Sequence, residues 1–193
     1  MTKHIYKDIT GWFSFPKLYT EMVKRFPSGS RLVEIGTYHG CSFSYLVVEA
    51  MNSGKKFDIV GIDACPWPDV EPTFYKNMKP LDGNYRTLFG GDSFDRAKDF
   101  EDGSIDFCFI DANHTYEFVK KDIEAFLPKM KPGGVMAGHD YNMSHPGVIR
   151  AVNEMFVEIV ERDYYVPEDK LNVKKPGNGV TYRKEEDVWV VEL

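Results

Sequence analysis

The chain has 193 residues, with 30 Asp and Glu against 24 Lys and Arg and a net charge of −6. This length predicts one domain with a substantial core, and the acidic balance argues against nucleic acid or an anionic membrane as a partner. The sequence has no apolar run of transmembrane length, no apolar signal segment after Met1 and no C-x-x-C pair among its three cysteines, so we expect a cytoplasmic protein with reduced thiols.

The first thirty residues predict one helix. Ser14 is a typical N-cap residue, Pro16 suits a first helical turn, and Pro27 ends the pattern. The apolar stripe of this helix comprises Phe15, Leu18, Met22 and Phe26. Trp12 and Phe13 precede the helix and either pack in the core or close a substrate pocket. The strong tendency of aromatic residues to be buried favours the core.

A strand, a tight glycine turn and a helix are predicted between residues 31 and 54. The strand contains Glu34, and the turn contains Gly36 and Gly40. The helical stripe comprises Phe43, Leu46, Val47, Ala50 and Met51. Glycine lets the backbone adopt a positive φ or approach a ligand closely, and N–H groups at a helix start point at whatever binds there. An acid before the first glycine would repel a pyrophosphate and suits a cationic or hydroxyl-rich ligand. The alternative is that the glycines only make a turn.

Residues 57–103 predict two more strands. The first, at 57–63, ends in Asp63, a position where an acid typically accepts ribose hydroxyls or caps a helix. Residues 64–84 contain four prolines and predict a loop with one short helix. A weaker strand at 85–89 precedes a helix at 94–100, for which Ser93 is a suitable N-cap.

The stretch 104–140 places further chemistry at one sheet edge. A strand at 105–110 is apolar on both faces, as in a central parallel strand, and is followed by a helix at 116–127 and a strand at 135–138. Because parallel strands end at the same edge, we expect four side chains to converge there. They are Asp111, His114, His139 and Asp140. Each one alone is equally a helix cap or a loop hydrogen-bond partner, but a converging set favours a site.

The C-terminal part predicts a helix and a hairpin. Ser144 and Pro146 open the helix, and His145 is expected to be exposed. Residues 179–182 and 188–191 predict a terminal hairpin, and the polar segment 163–177 between helix and hairpin is expected to be mobile. The strand at 188–191 is predicted to be an exposed edge, which would support a homodimer.

Several motifs together resemble one family. They are Glu34-x-Gly36-x-x-x-Gly40, Ile110-Asp-Ala-Asn-His-Thr-Tyr-Glu, Leu127-Pro-Lys-Met-Lys-Pro-Gly-Gly and His139-Asp-Tyr. This pattern, over residues 31–141, resembles the methyltransferase-24 family of class I S-adenosylmethionine-dependent methyltransferases. It is similar more distantly to catechol and macrolide-sugar O-methyltransferases. The resemblance implies a three-layer α/β Rossmann-like fold, mainly parallel with a C-terminal antiparallel hairpin. We expect one domain made of an N-terminal helical segment (1–30), a core (31–141) and a terminal helix and hairpin (142–193).

The resemblance also implies roles for individual residues. The cofactor-binding residues would be Glu34, Gly36, Tyr38, Gly40, Asp63, Asp92, Ser93 and Asp111, with Asp92 or Ser93 at the adenine edge. The catalytic residues would be His114, Asp111 and Asp140, with His114 at the position of the catalytic lysine of catechol O-methyltransferase. The metal ligands would be Asp111, His139 and Asp140. His139 departs from the oxygen ligands of the Mg²⁺-dependent relatives, and imidazole suits Zn, Ni, Fe or Mn better than Mg²⁺.

The predicted function is S-adenosylmethionine-dependent methylation, with oxygen of a small-molecule acceptor as the target and a divalent metal (Mg, Mn or Zn) as a possible assistant. Two alternatives remain open at this point. A nucleotide-dependent oxidoreductase would need a third fingerprint glycine where Ser42 or Phe43 stands. A catalytically silent S-adenosylmethionine-binding protein would keep Glu34, Gly36 and Gly40 and tolerate the loss of the converging acids and histidines.

Overall fold

The computed structural model describes residues 1–156 and 180–193. Helices and strands alternate along most of this length. They are α1 (Pro16–Arg25), β1 (Arg31–Ile35), α2 (Cys41–Asn52), β2 (Asp58–Asp63), α3 (Val70–Met78), β3 (Arg86–Phe89), α4 (Ser93–Arg96), β4 (Ile105–Ile110), α5 (Tyr116–Phe126), β5 (Met130–Gly138), α6 (Pro146–Phe156), β6 (Thr181–Arg183) and β7 (Val188–Glu192).

The described strands form one sheet in the order β3-β2-β1-β4-β5-β7-β6. Strands β1 to β5 pair in parallel, whereas β7 pairs antiparallel with both β5 and β6. The predicted fold class is therefore confirmed. The carboxyl ends of β1, β2, β4 and β5 lie at one edge, where open α/β sheets bind their ligands.

Helices cover both faces of this sheet because the central strands are apolar on both sides. In β1, Leu32 points into the cluster that contains α1, α2 and α3, whereas Val33 points into the cluster that contains α5 and α6. Phe107 and Cys108 divide in the same way in β4. All six residues of β4 are buried, as expected for a central parallel strand.

The ends of several helices can now be compared with the predictions. Helix α1 begins at Pro16 with Phe15 as its N-cap, so Ser14 is not the cap. Helix α3 is the one short helix predicted within residues 64–84, and its Pro72 lies in the first turn, where a proline removes no helical hydrogen bond. Helix α4 covers only Ser93–Arg96, and Asp92 rather than Ser93 takes the N-cap position.

The prediction that the strand at 188–191 is an exposed edge is also wrong. Strand β7 lies between β5 and β6, and its residues Val188 to Val191 are buried. Among the described strands, the short β6 is the edge strand on this side of the sheet, and β3 is the edge strand on the other side. The homodimer prediction loses the feature on which it was based. Residues 163–177 and Gly179 lie outside the described residues.

Two simpler expectations concern the membrane and the thiols. None of the helices in 1–156 or 180–193 is long and apolar enough to cross a membrane. Cys41, Cys65 and Cys108 are all free thiols, as expected from their spacing.

Candidate functional site

The loop between β1 and α2 is built on two glycines in the left-handed region. Gly36 and Gly40 both have a φ of +91°, which only glycine adopts without strain. A Cβ on Gly36 would lie 2.0 Å from the carbonyl oxygen of Asp111, so no larger residue fits. The predicted cofactor loop therefore packs its backbone directly against the end of β4.

Glu34 lies beneath this loop and is completely buried. Tyr19 donates a hydrogen bond to Oε2 at 2.7 Å, and Ser42 donates one to Oε1 at 2.6 Å. Burial raises the pKa of Glu34 to about 8, although these two hydrogen bonds act in the opposite direction. Both carboxylate oxygens thus hold helices α1 and α2 to the strand, and direct contact between Glu34 and a cofactor stays a prediction.

Asp63, at the end of β2, joins two loops that surround the predicted cofactor site. Its Oδ2 accepts a hydrogen bond from the Tyr38 N–H, and its Oδ1 accepts one from the Cys65 N–H, both at 2.7 Å. Tyr38 and Cys65 have positive φ values of 46° and 51°, which cost free energy in a non-glycine residue. Each oxygen of Asp63 still has acceptor capacity for a ribose hydroxyl.

The predicted adenine-edge residues separate in the structure. Asp92 is exposed, whereas Ser93 is buried and donates a hydrogen bond to Oδ1 of Asp122 at 2.5 Å. Asp122 in α5 is fully buried, and this burial raises its pKa to about 7. Of the two candidates, Asp92 has the accessible side chain.

Four predicted residues do converge at the ends of β4 and β5. Nε2 of His114 lies 3.3 Å from Oδ1 of Asp111 and 3.2 Å from Oδ2 of Asp140. Nδ1 of His139 lies 3.7 Å and 3.4 Å from the same two oxygens. The φ of Asp140 is +56°, a strained conformation of the kind that clusters at functional sites.

The charges of this cluster stabilise one another. The hydrogen bond with Asp111 raises the pKa of His114, although burial opposes the shift. Burial alone would lower the pKa of His139, but its hydrogen bond with Asp140 and the nearby carboxylates raise it. In the same way, burial would raise the pKa of Asp140, and the neighbouring histidines hold it below its usual range.

Ser14 fixes the orientation of His139 from a distant part of the chain. Its hydroxyl donates a hydrogen bond to the backbone oxygen of Glu186 at 2.8 Å and lies 2.8 Å from Nε2 of His139. Because a hydroxyl has one proton, Ser14 must accept a hydrogen bond from Nε2–H of His139. Nδ1 of the neutral ring then presents its lone pair to the carboxylates of Asp111 and Asp140. That arrangement is repulsive for a neutral ring, which is why the carboxylates raise the pKa of His139 and favour a proton on Nδ1. A divalent metal could take the place of this proton, because each of the three residues offers one ligand atom.

The structure adds His145, which was predicted to be exposed. Its side chain is only one-third accessible, and Nδ1 lies 3.4 Å from Oδ1 of Asp140. Its ring meets the ring of His114 edge-on, with centroids 4.8 Å apart. The expectation was wrong because the loop after β5 turns back and brings His145 against Asp140. Pro146 followed by Gly147 signals a turn in the sequence, but this signal does not tell how close His145 comes to Asp140.

Three aromatic side chains, Trp12, Tyr38 and Trp67, lie together at the glycine loop. The ring of Tyr38 lies 6.4 Å from that of Trp12 and 6.3 Å from that of Trp67. Trp12 is 82% exposed and Trp67 60% exposed, whereas Phe13 packs against the core. The core interpretation is therefore wrong for Trp12, whose exposed ring lies near Tyr38 of the glycine loop.

A Rossmann-like sheet with acids or histidines at the ends of β1, β2, β4 and β5 and a glycine loop after β1 is the architecture of a methyltransferase. The chain belongs to the methyltransferase-24 family, described as a methyltransferase domain, whose model matches residues 33–141. This result confirms the resemblance inferred from the motifs.

Two curated relatives match in sequence. The protein y4gI of Sinorhizobium fredii is 27% identical over 127 residues, which cover 61% of this chain and 14% of that protein. The protein R132 of Acanthamoeba polyphaga mimivirus is 29% identical over 140 residues, which cover 68% of this chain and 62% of that protein. The chain thus spans less than two-thirds of the length of either relative.

Solved structures share the fold at low sequence identity. The S-adenosylhomocysteine-bound methyltransferase PaMTH1 of Podospora anserina has a TM-score of 0.63 and 15% identity, covering 96% of this chain and 90% of that one. The O-methyltransferase NovP has a TM-score of 0.62 and 16% identity, covering 92% and 78%. CalS11, a TDP-rhamnose 3′-O-methyltransferase, has a TM-score of 0.57 and 15% identity, covering 92% and 76%.

Proposed function

We propose that this chain transfers the methyl group of S-adenosylmethionine to a hydroxyl oxygen of a small molecule, with the assistance of a divalent metal. One observation carries the proposal. The glycine loop that would hold the cofactor touches the backbone of Asp111, the first residue of the acid–histidine cluster. Donor site and deprotonation site are therefore adjacent, as in-line transfer requires.

The cofactor side is supported by Asp63, Tyr38 and Asp92. Asp63 holds the loop that contains Tyr38 and retains acceptor capacity for ribose hydroxyls. Asp92 lies exposed at the start of α4, at the carboxyl edge of the sheet. When bound there, S-adenosylmethionine supplies an electrophilic methyl group on a sulfonium sulfur.

The acceptor side is supported by His114. Its Nε2 takes the proton of the acceptor hydroxyl, and the imidazolium that forms lies within 3.3 Å of oxygens of Asp111 and Asp140, which stabilise it. The acceptor oxygen then forms the new bond to carbon, while the electron pair of the broken C–S bond stays on sulfur. The chain's own role is to align the two reactants and to hold the proton.

Asp111, His139 and Asp140 are the residues that would hold a metal. When bound, a divalent cation lowers the pKa of a hydroxyl that it contacts. The mixed carboxylate and imidazole set favours Mn²⁺ or Zn²⁺ over Mg²⁺. The orientation of His139 by Ser14 is the structural observation that supports a cation there.

A small acceptor is supported by the position of Trp12. This exposed ring lies near Tyr38 of the glycine loop, and Trp12 precedes Ser14, which contacts His139, by two residues in the chain. CalS11, whose name gives it a sugar nucleotide as acceptor, shares the fold. We infer that Trp12 forms one wall of the acceptor site.

Calorimetric titration with S-adenosylmethionine and, separately, with NAD tests the cofactor assignment. We expect saturable binding of S-adenosylmethionine and weaker or undetectable binding of NAD. Asp92→Ala should weaken the binding of S-adenosylmethionine, whereas the matched control Asp95→Ala, an exposed acid in the same helix, should not. Tighter binding of NAD would restore the oxidoreductase alternative, which the family match disfavours.

A second titration tests the assistance of a metal. We expect Mn²⁺ to bind the wild-type chain and to lose affinity in Asp140→Ala, while S-adenosylmethionine still binds that variant. If S-adenosylmethionine binds but Mn²⁺, Zn²⁺ and Mg²⁺ do not, the metal-assisted reaction is refuted.

A further inference from the structure

We propose that His114, Asp140 and His145 form a second divalent-cation site beside the one at Asp111 and His139, and that this second site takes an imidazole-preferring ion such as Zn²⁺. The inference rests on the proposed function for the identity of the first site and for the role of His114 as the general base. It assigns a role to His145, which the proposed reaction does not use.

The separations of the donor atoms fit zinc coordination. Oδ2 of Asp140 lies 3.2 Å from Nε2 of His114, and Oδ1 lies 3.4 Å from Nδ1 of His145. Two ligands at zinc–ligand distances of about 2.0–2.2 Å in a tetrahedron lie about 3.4 Å apart. The donor atoms of all three residues lie within 4.8 Å of one another, so small side-chain rotations complete the set.

His145 carries an independent sign of a missing partner. Its Nδ1 is shielded from solvent and makes no hydrogen bond with any residue in the described ranges. Leaving such a nitrogen unsatisfied costs free energy. The atom faces Oδ1 of Asp140, the carboxylate oxygen that is turned away from the first site. A cation between Nδ1 and Oδ1 would satisfy both atoms.

The backbone is shaped to bring these residues together. A Cβ on Gly147 would lie 2.7 Å from the backbone oxygen of His114 and 2.6 Å from the backbone nitrogen of Tyr116, so this glycine permits α6 to start against the loop before α5. In the turn between β5 and α6, the backbone N–H of Asn142 donates a hydrogen bond to the backbone oxygen of Asp140, and the backbone N–H of His145 donates one to the backbone oxygen of Asn142. This turn returns His145 to Asp140.

The side chain of Asn142 also donates a hydrogen bond to the carboxylate of Asp187, which ties the turn to the β6–β7 hairpin. Asp140 is held at a φ of +56° within the turn. Oδ2 of the Asp140 carboxylate lies near both His139 and His114, whereas Oδ1 lies near His145. An ion held by His114 and His145 would therefore contact both oxygens of Asp140 and would share Oδ2 with the first site. A carboxylate in this position can bridge two cations.

Occupation of the second site has a consequence for the proposed reaction. Nε2 of His114 cannot bind a metal and accept a proton at the same time. An ion at His114, Asp140 and His145 would therefore remove the general base. The second site would then act as an inhibitory site, with imidazole-preferring ions as its ligands.

Calorimetric titration of the chelator-treated full chain with Zn²⁺ tests the second site. We expect the wild type to bind two equivalents of Zn²⁺ and His145→Ala to bind one. The affinity of the second site for Zn²⁺ should fall by more than about 100-fold in this variant. The variant His139→Ala should also bind one equivalent. The matched control His4→Gln, which removes an imidazole elsewhere, should keep two.

His145→Asn serves as a second variant if His145→Ala unfolds, which thermal melting followed by circular dichroism will show. Unchanged Zn²⁺ stoichiometry and affinity in a folded His145 variant would overturn the proposal, as would a single equivalent in the wild type. Titration of the same samples with S-adenosylmethionine reports on the proposed function separately, because Nδ1 of His145 is not part of the cofactor loop.

Discussion

Gly36→Ala tests the contact on which the site depends. The φ of +91° costs an alanine about 1–2 kcal/mol. Its Cβ would also lie 2.0 Å from the carbonyl oxygen of Asp111 and 2.8 Å from Cα of Ala112, and relieving this overlap costs about 1–3 kcal/mol more. We therefore expect the free energy of unfolding, measured by urea denaturation, to fall by about 2–5 kcal/mol in total. Binding of S-adenosylmethionine should be lost with it, because the loop must move away from β4.

Gly29→Ala is the matched control for this prediction. Gly29 has a φ of +94°, but nothing lies within 4 Å of the position that its Cβ would take. It should lose only the conformational part, about 1–2 kcal/mol, and should keep cofactor binding. Equal losses of stability in Gly36→Ala and Gly29→Ala would refute the close approach between the loop and Asp111.

Three further predictions concern other parts of the site. Folded Asp122 keeps its proton up to a pH of about 7, whereas an unfolded aspartate releases its proton near pH 4, so the free energy of unfolding falls as the pH rises between these values. In urea denaturation at pH 5 to 8, Asp122→Asn should reduce this dependence of the free energy of unfolding on pH. An unchanged dependence would contradict the raised pKa. Ser14→Ala should weaken Mn²⁺ binding by calorimetry about 10-fold, because His139 loses its fixed orientation, and Ser14→Thr should restore it. Titration with S-adenosylhomocysteine should change the tryptophan fluorescence, because Trp12 and Trp67 both lie near Tyr38 of the glycine loop. Trp12→Phe should reduce that change, and an undiminished change would place Trp12 away from the cofactor loop.

The sequence predicted the features that depend on local pattern. The apolar strand 105–110 and the acid after it, the glycine turn at Gly36 and the convergence of Asp111, His114, His139 and Asp140 all follow from periodicity and from the rule that parallel strands end at one edge. These signals lie within a few residues of one another or follow from topology.

What the sequence could not predict depends on contacts between distant segments. Ser14 was expected to cap a helix, but it meets His139, 125 positions along the chain. His145 was expected to be exposed, but a tight turn brings it back to Asp140. The sequence does not show this contact. The strand at 188–191 was expected at the edge, because the pairing order within a hairpin next to a parallel sheet leaves no mark in the pattern of a single strand.

The proposed placement of the cofactor against the acid–histidine cluster is tested most directly by a crystal structure of the full chain with S-adenosylhomocysteine. We predict ribose hydroxyls within hydrogen-bond distance of Asp63, the adenine beside Asp92 and the sulfur facing Asp111 and His114. A ligand bound elsewhere, or a sulfur that points away from the cluster, would contradict the account.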